Sequence, residues 1–199
     1  MGLIAVFGGT FNPIHIGHIE IIKSLQNLSE INKILLIPTN IPPHKDTNYL
    51  ASAKDRYNMC EIIASDYDNV SVCDIELYRE GKSYTIDTIN ALIKMFPESE
   101  LAITVGGDMI VSFHNWKSYL EIIEKCKLIT FRRAGVSDED YINAINNLKH
   151  NGARIIELEQ VITDVSSTEI RSELINGTAC NKIDKRISKY IRTNNLYGV

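Results

Sequence analysis

Two glycines and two histidines near the start of the chain have the residue types and the spacing needed to bind a phosphate group. Gly8 and Gly9 end a short apolar run, and His15 and His18 follow it, three residues apart. Because glycine has no Cβ, its backbone N–H group can approach a phosphate closely. Histidines at this spacing share one face of a helix, where they can stabilise charge that develops during group transfer. An isolated Gly-Gly pair by itself indicates a simple tight turn. The prediction of a phosphate site therefore depends on the two histidines.

The same residues complete neither a metal site nor a dinucleotide-binding fingerprint. No cysteine or carboxylate at helical spacing completes a set of metal ligands with His15 and His18, so the sequence favours phosphate contact over zinc binding. A dehydrogenase would need the pattern G-x-G-x-x-G and an acidic residue at the end of the second strand, where Pro38, Thr39 and Asn40 stand. The sequence also lacks the Walker A lysine, which excludes P-loop kinases and NTPases.

A second group of hydrogen-bond donors lies near residue 170. Ser166 and Glu169 have the spacing of a capping box, which by itself indicates an ordinary helix start. Arg171 lies one turn further on, and the hydroxyls of Ser167 and Thr168 are additional donors. A helix N-terminus with these groups would suit the β- and γ-phosphates of a nucleotide. Both interpretations stay open from the sequence.

Three other segments carry polar or aromatic groups of lower specificity. His44 and Lys45 follow two prolines after the second predicted strand. They either belong to a solvated turn or supply two cationic groups to a ligand. Asp108 follows a glycine pair that begins at Gly106, and it could accept from a ribose hydroxyl or cap a helix. Trp116 is the single tryptophan, and it belongs to the core or stacks on a flat heterocycle.

Short β-branched runs alternate with amphipathic segments along the chain. The pattern predicts six strands, at residues 3–7, 33–37, 70–73, 101–105, 128–131 and 154–157, and helices at residues 16–28, 51–64, 85–95, 168–175 and 184–192. Such alternation with short links is typical of a parallel sheet covered by helices on both faces. We therefore predict one α/β domain over residues 1–199, with a Rossmann-like open parallel sheet and a small C-terminal helical segment. Open sheets of this kind bind ligands at the carboxyl ends of their strands.

The composition excludes several classes of protein. Of the 199 residues, 44% are hydrophobic and 23% are charged, which is typical of a globular domain and not of disordered or low-complexity chains. The net charge of −4 argues against a protein that coats nucleic acid. The sequence predicts no membrane partner, because no stretch approaches the roughly 18 apolar residues of a span. Four cysteines without a C-x-x-C pair, after an N-terminus unlike a signal peptide, predict a cytoplasmic protein.

These motifs together resemble the nucleotidyltransferase superfamily with the HxGH signature, and within it the bacterial nicotinate-nucleotide adenylyltransferases. The resemblance spans the whole chain. Residues 8–18, 42–45, 84–88, 106–108 with Trp116, 166–171 and 190–197 follow in the order of the family's motifs. Any one of these matches is weak, whereas six in order are highly specific. Three positions depart from the usual pattern, with Asn12 in place of aspartate, Gly107 in place of alanine and Ala134 in place of proline.

The resemblance implies adenylyl transfer from ATP, with Mg²⁺ as cofactor, to nicotinic acid mononucleotide, giving the deamido dinucleotide and pyrophosphate. It implies direct in-line attack by the mononucleotide phosphate, with catalysis through positioning and charge neutralisation. It assigns the nicotinate carboxylate to Thr85 and stacking on the pyridine ring to Trp116, and it assigns no metal ligand to the protein. The catalytic residues implied are His15, His18, Lys45 and Arg171. The ATP-binding residues implied are Gly8, Gly9, Thr10, Phe11, His18, Gly106, Asp108, Ser166, Ser167, Thr168 and Arg171. The mononucleotide-binding residues implied are Thr10, His15, His44, Lys45, Tyr84, Thr85, Asp108 and Trp116.

Other functions remain as alternatives. An enzyme that prefers nicotinamide mononucleotide differs by a single substrate group, and phosphopantetheine adenylyltransferases are shorter and lack the features at Tyr84–Thr88 and Trp116. Class I aminoacyl-tRNA synthetases share the His-x-Gly-His pattern, but the chain has no tRNA-binding appendage. A non-catalytic nucleotide-binding regulator is the alternative from another class. The basic residues of the C-terminal helix predict a solvated face and not a nucleic-acid site; they are Lys182, Lys185, Arg186, Lys189 and Arg192. A homo-oligomer is compatible with the sequence.

Overall fold

A computed structural model describes residues 2–40, 50–79, 81, 83–133, 135–159, 162–178 and 181–199. Within these residues one sheet contains six strands: β1 (Leu3–Gly9), β2 (Ile31–Pro38), β3 (Val70–Val72), β4 (Glu100–Gly106), β5 (Lys127–Phe131) and β6 (Ile155–Leu158). Their order across the sheet is β3-β2-β1-β4-β5-β6. β1 pairs in parallel with β4, β4 with β5, and β5 with β6. The predicted α/β class with an open parallel sheet is therefore confirmed.

Helices alternate with these strands. The described part of the chain contains α1 (Ile16–Gln26), α2 (Ala53–Ala64), α3 (Thr85–Met95), α4 (Gly107–Val111), α5 (Tyr119–Lys125), α6 (Asp138–His150), α7 (Ser167–Ile175) and α8 (Lys185–Thr193). Two short 3-10 turns cover Phe113–Asn115 and Leu196–Gly198. Within the described ranges, no helix is long and apolar enough to cross a membrane.

The direction of the strand order reverses between β1 and β4. Val6 of β1 lies opposite Ile103 of β4, which fixes the register of the pair at the reversal. The first five residues of β1 are all buried. Because successive side chains of a strand point to opposite faces, their burial means that both faces of the sheet are covered there. Ligands of open α/β sheets bind at the carboxyl ends of strands beside such a reversal, where β1 and β4 carry predicted site residues.

The chain divides into two compact units, each assembled from separate stretches of sequence. The first unit comprises Met1–Phe7, Ser24–Ile34 and Tyr84–Ile162, and the second comprises Gly8–Lys23, Leu35–Ser83 and Thr163–Val199. The division runs through β1 and β2. The sequence-based expectation of a single domain remains a prediction.

The core of the first unit is built on the central strands. Leu128 and Ile129 of β5 are fully buried, and α6 buries Tyr141, Ile145 and Leu148 at helical spacing. At the start of α6, Ser137 Oγ accepts from the amide of Asp140 at 3.0 Å, which satisfies one of the free N–H groups of the first turn. The sequence patterns did not predict α4, α5 or α6.

The core of the second unit gathers α2, α7 and α8. In α8, Ile187 and Ile191 are buried four residues apart, and Asp184 caps the helix by accepting from the amide of Arg186 at 2.7 Å. Tyr190 of the same helix donates its hydroxyl to Asp55 Oδ1 of α2 at 2.9 Å, so a hydrogen bond supports the contact between the two helices.

Element boundaries differ from the predictions by a few residues. α3 has the bounds that the sequence predicted, whereas α1 ends two residues early, at Gln26. β3 ends at Val72, one residue before its predicted end, and residues 75–78 form turns. Cys60 and Cys126 are buried free thiols, and Cys180 lies outside the described residues.

Candidate active site

β1 runs directly into the loop from Gly8 to His15, which we call the motif loop. Phe11 has a φ of 48°, in the left-handed region, and its side chain is fully buried. A Cβ on Gly9 would lie 3.0 Å from Cζ of Phe11, so only glycine fits above that ring. At Gly8 a Cβ would meet no atom of the described chain within 4 Å. Gly8 is exposed, and the space beside it is open to a ligand.

Carbonyl groups at the start of the motif loop are held by donors from elsewhere in the second unit. The amide of Thr39 donates to the carbonyl of Gly9 at 2.9 Å, and Arg56 Nη1 donates to the carbonyl of Thr10 at 2.9 Å. A trans peptide group points its N–H opposite to its C=O. The N–H groups of Thr10 and Phe11 therefore point away from these donors, which is the direction in which a backbone loop contacts an anion.

The second predicted group of donors also contacts the motif loop. Arg171 Nη1 donates to the carbonyl of Asn12 at 2.8 Å, and Ser167 Oγ donates to the carbonyl of Pro13 at 3.0 Å. Both residues belong to α7, whose sequence position is more than 150 residues away. Since a guanidinium has five N–H donors, Arg171 can hold the loop and still contact a phosphate.

Ser166 and Thr168 have different partners in the first turn of α7. Ser166 Oγ accepts from the amide of Glu169 at 3.1 Å and is the N-cap of the helix. Thr168 Oγ1 accepts from Arg171 Nη2 at 3.3 Å. The carboxylate of Glu169 pairs with Lys182 Nζ at 2.6 Å and takes no part in capping. Of the two hydrogen bonds of a capping box, the one from the amide of Glu169 to Ser166 is therefore present. Thr168 is exposed to solvent.

His15 and His18 lie together where α1 begins. Their ring centroids are 3.7 Å apart with planes inclined by 30°, and the ring of His18 also contacts Phe11 edge-on. The backbone N–H of His15 donates to Nδ1 of His18 at 3.2 Å. In the neutral imidazole one nitrogen accepts and the other carries the proton, so Nε2 of His18 is the N–H donor. His15 is buried and His18 is half-buried.

Close packing accounts for Gly17, the glycine between the two histidines. A Cβ at this position would lie 3.1 Å from the carbonyl oxygen of Thr163 and 3.3 Å from Nδ1 of His15. Either neighbour would have to shift by a few tenths of an ångström. The glycine therefore lets the ring of His15 pack closely against the first turn of α1.

The sequence analysis missed Arg56, the largest fully buried polar side chain of the described structure. Besides Thr10, its guanidinium donates to the carbonyls of Thr39 at 2.6 Å, Asn40 at 2.8 Å and Ala51 at 3.1 Å. Burial lowers the pKa of Arg56. The pattern contained a clue, because Arg56 lies on the apolar face of α2 with buried residues three, four and seven positions further on.

Asn12 and Tyr197 form a second buried contact that the sequence analysis did not assign. The hydroxyl of Tyr197 donates to Oδ1 of Asn12 at 2.9 Å, and the backbone N–H of Ala51 donates to the same oxygen at 3.0 Å. Burial raises the pKa of the Tyr197 hydroxyl well above its ordinary value. Asn12 thus accepts with its side chain here and with its carbonyl from Arg171.

In the first unit, Gly106 and Asp108 lie where β4 passes into α4. Gly106 is the N-cap residue, so Asp108 is not the cap but a residue of the first turn. Asp108 Oδ2 pairs with Arg133 Nη1 at 3.5 Å, and Asp108 is exposed. A Cβ on Gly107 would lie 3.0 Å from the carbonyl oxygen of Phe131, which accounts for glycine at a position where the sequence comparison expects alanine.

Tyr84 and Thr85 lie at the start of α3, also in the first unit. Thr85 is the first residue of the helix, and Tyr84 makes no side-chain hydrogen bond to the first turn. Uncapped N–H groups at a helix start attract anions. Lys117 Nζ lies 4.2 Å from the centroid of the Tyr84 ring and 3.8 Å from Asp87 Oδ2, so an ammonium group lies beside this helix start.

Trp116 follows the 3-10 turn at Phe113–Asn115 in the first unit. Its ring centroid is 4.8 Å from that of Phe113, and the two planes are inclined by 35°. Phe113 is fully buried, whereas Trp116 is half-buried. The indole is therefore supported from one side and reaches the surface.

The structure assigns the predicted site residues to two groups. The second unit brings together the motif loop, His15, His18 and the start of α7, and the first unit carries Tyr84, Thr85, Gly106, Asp108 and Trp116. His44 and Lys45 lie outside the described residues. Of the side chains that are described, no three from histidine, cysteine, aspartate and glutamate cluster closely enough to hold a metal ion.

Comparison with known proteins agrees with this architecture. The family model described as cytidylyltransferase-like matches residues 6–173, which cover the end of β1, the motif loop and most of α7. A solved structure of Plasmodium falciparum nicotinic acid mononucleotide adenylyltransferase complexed with NaAD superposes with a TM-score of 0.80 at 21% identity, covering 99% of this chain and 98% of that one. The fold and the motif loop thus define a nucleotidyltransferase of the cytidylyltransferase-like class.

Sequence relatives narrow the class to one family. A probable nicotinate-nucleotide adenylyltransferase of Fusobacterium nucleatum is 38% identical over 94% of this chain and 97% of its own length. Another, from Shouchella clausii, is 32% identical over 100% of this chain and 98% of its own length. The chain belongs to the nicotinate-nucleotide adenylyltransferase family.

Proposed function

We propose that the protein transfers the adenylyl group of ATP to nicotinic acid mononucleotide, releasing pyrophosphate and forming the deamido dinucleotide. The observation that carries the proposal is the motif loop. Its carbonyls accept hydrogen bonds from Arg56, Arg171 and Ser167, which hold the loop beside His15 and His18, and the backbone at Gly8 is open. The relatives at 32–38% identity carry the name of this activity.

In the proposed reaction, a phosphate oxygen of the mononucleotide attacks the α-phosphorus of ATP in line with the leaving group. One P–O bond forms to the acceptor while the P–O bond to pyrophosphate breaks, and its electron pair leaves with the pyrophosphate. No proton needs to leave the attacking oxygen, because a phosphate oxygen is already anionic. The chain then has two tasks, which are to align the reactants and to stabilise the charge of the transferred group.

We assign the phosphate contacts to the second unit. The N–H groups of Thr10 and Phe11 and the Nε2–H of His18 would donate to the triphosphate, and His15 and Arg171 would neutralise its charge. The proposed ATP residues are those expected from the sequence: Gly8, Gly9, Thr10, Phe11, His18, Gly106, Asp108, Ser166, Ser167, Thr168 and Arg171. Ser166 would contribute through the helix start that it caps, since its Oγ accepts from Glu169.

We assign recognition of nicotinate to the first unit. The uncapped N–H groups at the start of α3 suit a carboxylate, and the ammonium of Lys117 beside Tyr84 offsets the charge of Asp87 in the same turn. Thr85 would donate from its hydroxyl, and Trp116 would stack on the pyridine ring. An amide would gain less from these donors, which favours the acid over nicotinamide mononucleotide as substrate.

ATP would enter with its Mg²⁺. Mg²⁺ prefers six oxygen ligands and keeps several waters, and it is commonly bound through substrate phosphates and one or two carboxylates. Such a mode requires no cluster of protein ligands, and the described residues hold none. The ion would supply charge neutralisation on the phosphates. We also propose a cytoplasmic location, since the thiols of Cys60 and Cys126 are buried and free.

The test is a substrate comparison with purified protein. Mg-ATP is incubated separately with nicotinic acid mononucleotide, nicotinamide mononucleotide and phosphopantetheine, and pyrophosphate release and product mass are followed. We expect turnover with the acid, far above the amide. Pyrophosphate with a different acceptor would move the protein to another transferase activity, and ATP binding without turnover would favour a regulator.

A further inference from the structure

Tyr197 contacts the motif loop from a segment to which the proposed reaction assigns no role. Its hydroxyl and Oδ1 of Asn12 are 2.9 Å apart, although the two residues are 185 positions apart in the chain. Both side chains are buried. The backbone N–H of Ala51 also donates to this oxygen, at 3.0 Å. Asn12 Oδ1 thus fills both of its lone-pair directions inside the protein.

The backbone around both partners is strained. Phe11, next to Asn12, has a φ of 48°, and Asn195 and Tyr197 have φ values of 50° and 60°. Non-glycine residues adopt such angles only where surrounding contacts fix them, and they cluster at functional sites. The strained turn at Leu196–Gly198 brings the phenol to Asn12, and the contacts of Asn12 hold the loop next to the strained Phe11.

We propose that Tyr197 is a positioning residue for adenylyl transfer, which holds the motif loop, through Asn12, in the conformation that presents its N–H groups to phosphate. The proposal rests on the proposed function. Tyr197 touches no substrate in this account. Its hydrogen bond fixes the side chain of Asn12 while Arg171 fixes the carbonyl of the same residue, so the two together set the course of the loop.

The chemistry of the pair suits a loop that binds polyanions. Burial raises the pKa of the Tyr197 hydroxyl, so the phenol remains a donor throughout the physiological range. Asn12 accepts as a neutral amide and adds no negative charge under the phosphates. An aspartate in its place would offer the same acceptor with a charge, so Asn12→Asp is the conservative variant and Asn12→Leu removes the acceptor at similar size.

The experiment compares Tyr197→Phe with Tyr190→Phe. Each variant loses one hydroxyl that donates across the second unit, but Tyr190 donates to Asp55 of α2 and not to the motif loop. We expect Tyr197→Phe to lower kcat about five- to tenfold, the scale of one buried hydrogen bond, with a smaller change in either KM. Tyr190→Phe should retain the wild-type kcat. Equal kcat values for the two variants, with equal melting temperatures, would overturn the proposal.

The Asn12 variants test whether Tyr197 acts through this residue. Asn12→Leu should lower kcat as Tyr197→Phe does, and Asn12→Asp should lie closer to wild type. Combining Tyr197→Phe with Asn12→Leu should add little to Asn12→Leu alone, because Asn12→Leu already removes the hydrogen bond that Tyr197→Phe removes. Fully additive losses would show that Tyr197 acts by another route and would contradict the proposal.

Hydrogen exchange separates this proposal from the proposed function. Amide exchange in the peptide that contains residues 8–15 should become faster in Tyr197→Phe and stay at the wild-type rate in Tyr190→Phe. If the wild-type protein shows no adenylyl transfer, the proposed function fails, and exchange still tests the contact with the loop. Unchanged exchange in Tyr197→Phe would overturn the positioning role whatever the activity.

Discussion

His18 is fixed as a hydrogen-bond donor by the backbone of its neighbour. Because Nδ1 accepts from the amide of His15, the proton of neutral His18 resides on Nε2. The sequence predicted two imidazoles on one helix face but not this difference between them, since it depends on the backbone of the motif loop. A donor whose orientation is set before the substrate arrives stabilises developing charge without rearrangement.

Removing either imidazole should slow the chemical step. We expect His15→Ala and His18→Ala each to lower kcat by at least about 100-fold, the scale for loss of one donor to the transition state. His150→Ala is the matched control, because His150 is exposed in the last turn of α6. Steady-state kinetics measure the effect: an unchanged kcat with weaker ATP binding would mean that the histidines bind the nucleotide without contributing to the chemical step.

A substitution at Gly8 tests where the phosphates bind. Since a Cβ on Gly8 meets no described atom within 4 Å, Gly8→Ala should fold with an unchanged melting temperature. The methyl group would nevertheless occupy space that a phosphate needs to reach the backbone. We expect the KM for ATP to rise several-fold at constant stability. An unaltered KM would mean that phosphate binds elsewhere.

Arg56 should contribute more to stability than any exposed arginine. Arg56→Met would leave the carbonyls of Thr10, Thr39 and Asn40 without this donor, at a cost of about 2 kcal/mol or more in the free energy of unfolding. Arg192→Met, on an exposed side chain, should change that free energy by less than about 0.5 kcal/mol. Urea denaturation measures both variants, and equal losses would contradict the role of Arg56.

Much of the candidate site could be predicted from residue types, but not what those residues already bind. Arg171 and Ser167 were predicted as phosphate donors, and in the structure each donates to a carbonyl of the motif loop. Asp108 pairs with Arg133, for which the sequence offers no spacing rule. Contacts between distant segments depend on the folded backbone, so no local pattern contains them.

Among the elements, the sheet was predictable and several helices were not. Buried parallel strands are continuous apolar runs, which stand out against polar links. α6, in contrast, buries only Tyr141, Ile145 and Leu148 of its 13 residues, and its remaining positions are largely polar. α4 and α5 have only five and seven residues, too few to show a helical period.

The start of α3 should determine recognition of the mononucleotide. We expect Thr85→Ala to raise the KM for nicotinic acid mononucleotide much more than the KM for ATP, because the first turn of α3 is assigned to the carboxylate. The KM for ATP is the internal control in the same assay. Equal changes in both constants would remove Thr85 from the mononucleotide site.

Across the whole molecule, two basic residues in or just before α8 pair with acidic neighbours. Lys182 pairs with Glu169 and Glu173, and Arg186 pairs with Asp66 and Asp184. These pairs reduce the net positive charge of this surface, and the absence of a nucleic-acid site stays a prediction.

The same pairs predict how stability depends on pH. The hydrogen bond from Arg186 lowers the pKa of Asp66 and of Asp184 in the folded protein. A lowered folded pKa gives stability that is present above the ordinary carboxyl pKa of about 4 and is lost as the pH falls through the folded value. Urea denaturation between pH 7 and 3 should therefore show a shallower acid loss in Arg186→Met. An unchanged acid slope would mean that the pair contributes nothing measurable.

The most direct test of the account is pyrophosphate release from Mg-ATP with nicotinic acid mononucleotide as acceptor, measured beside His18→Ala and His150→Ala. We expect rapid release and a product with the mass of the deamido dinucleotide for the wild type and His150→Ala, and a loss of at least about 100-fold for His18→Ala. No release by the wild-type protein, or equal rates in all three, would contradict it.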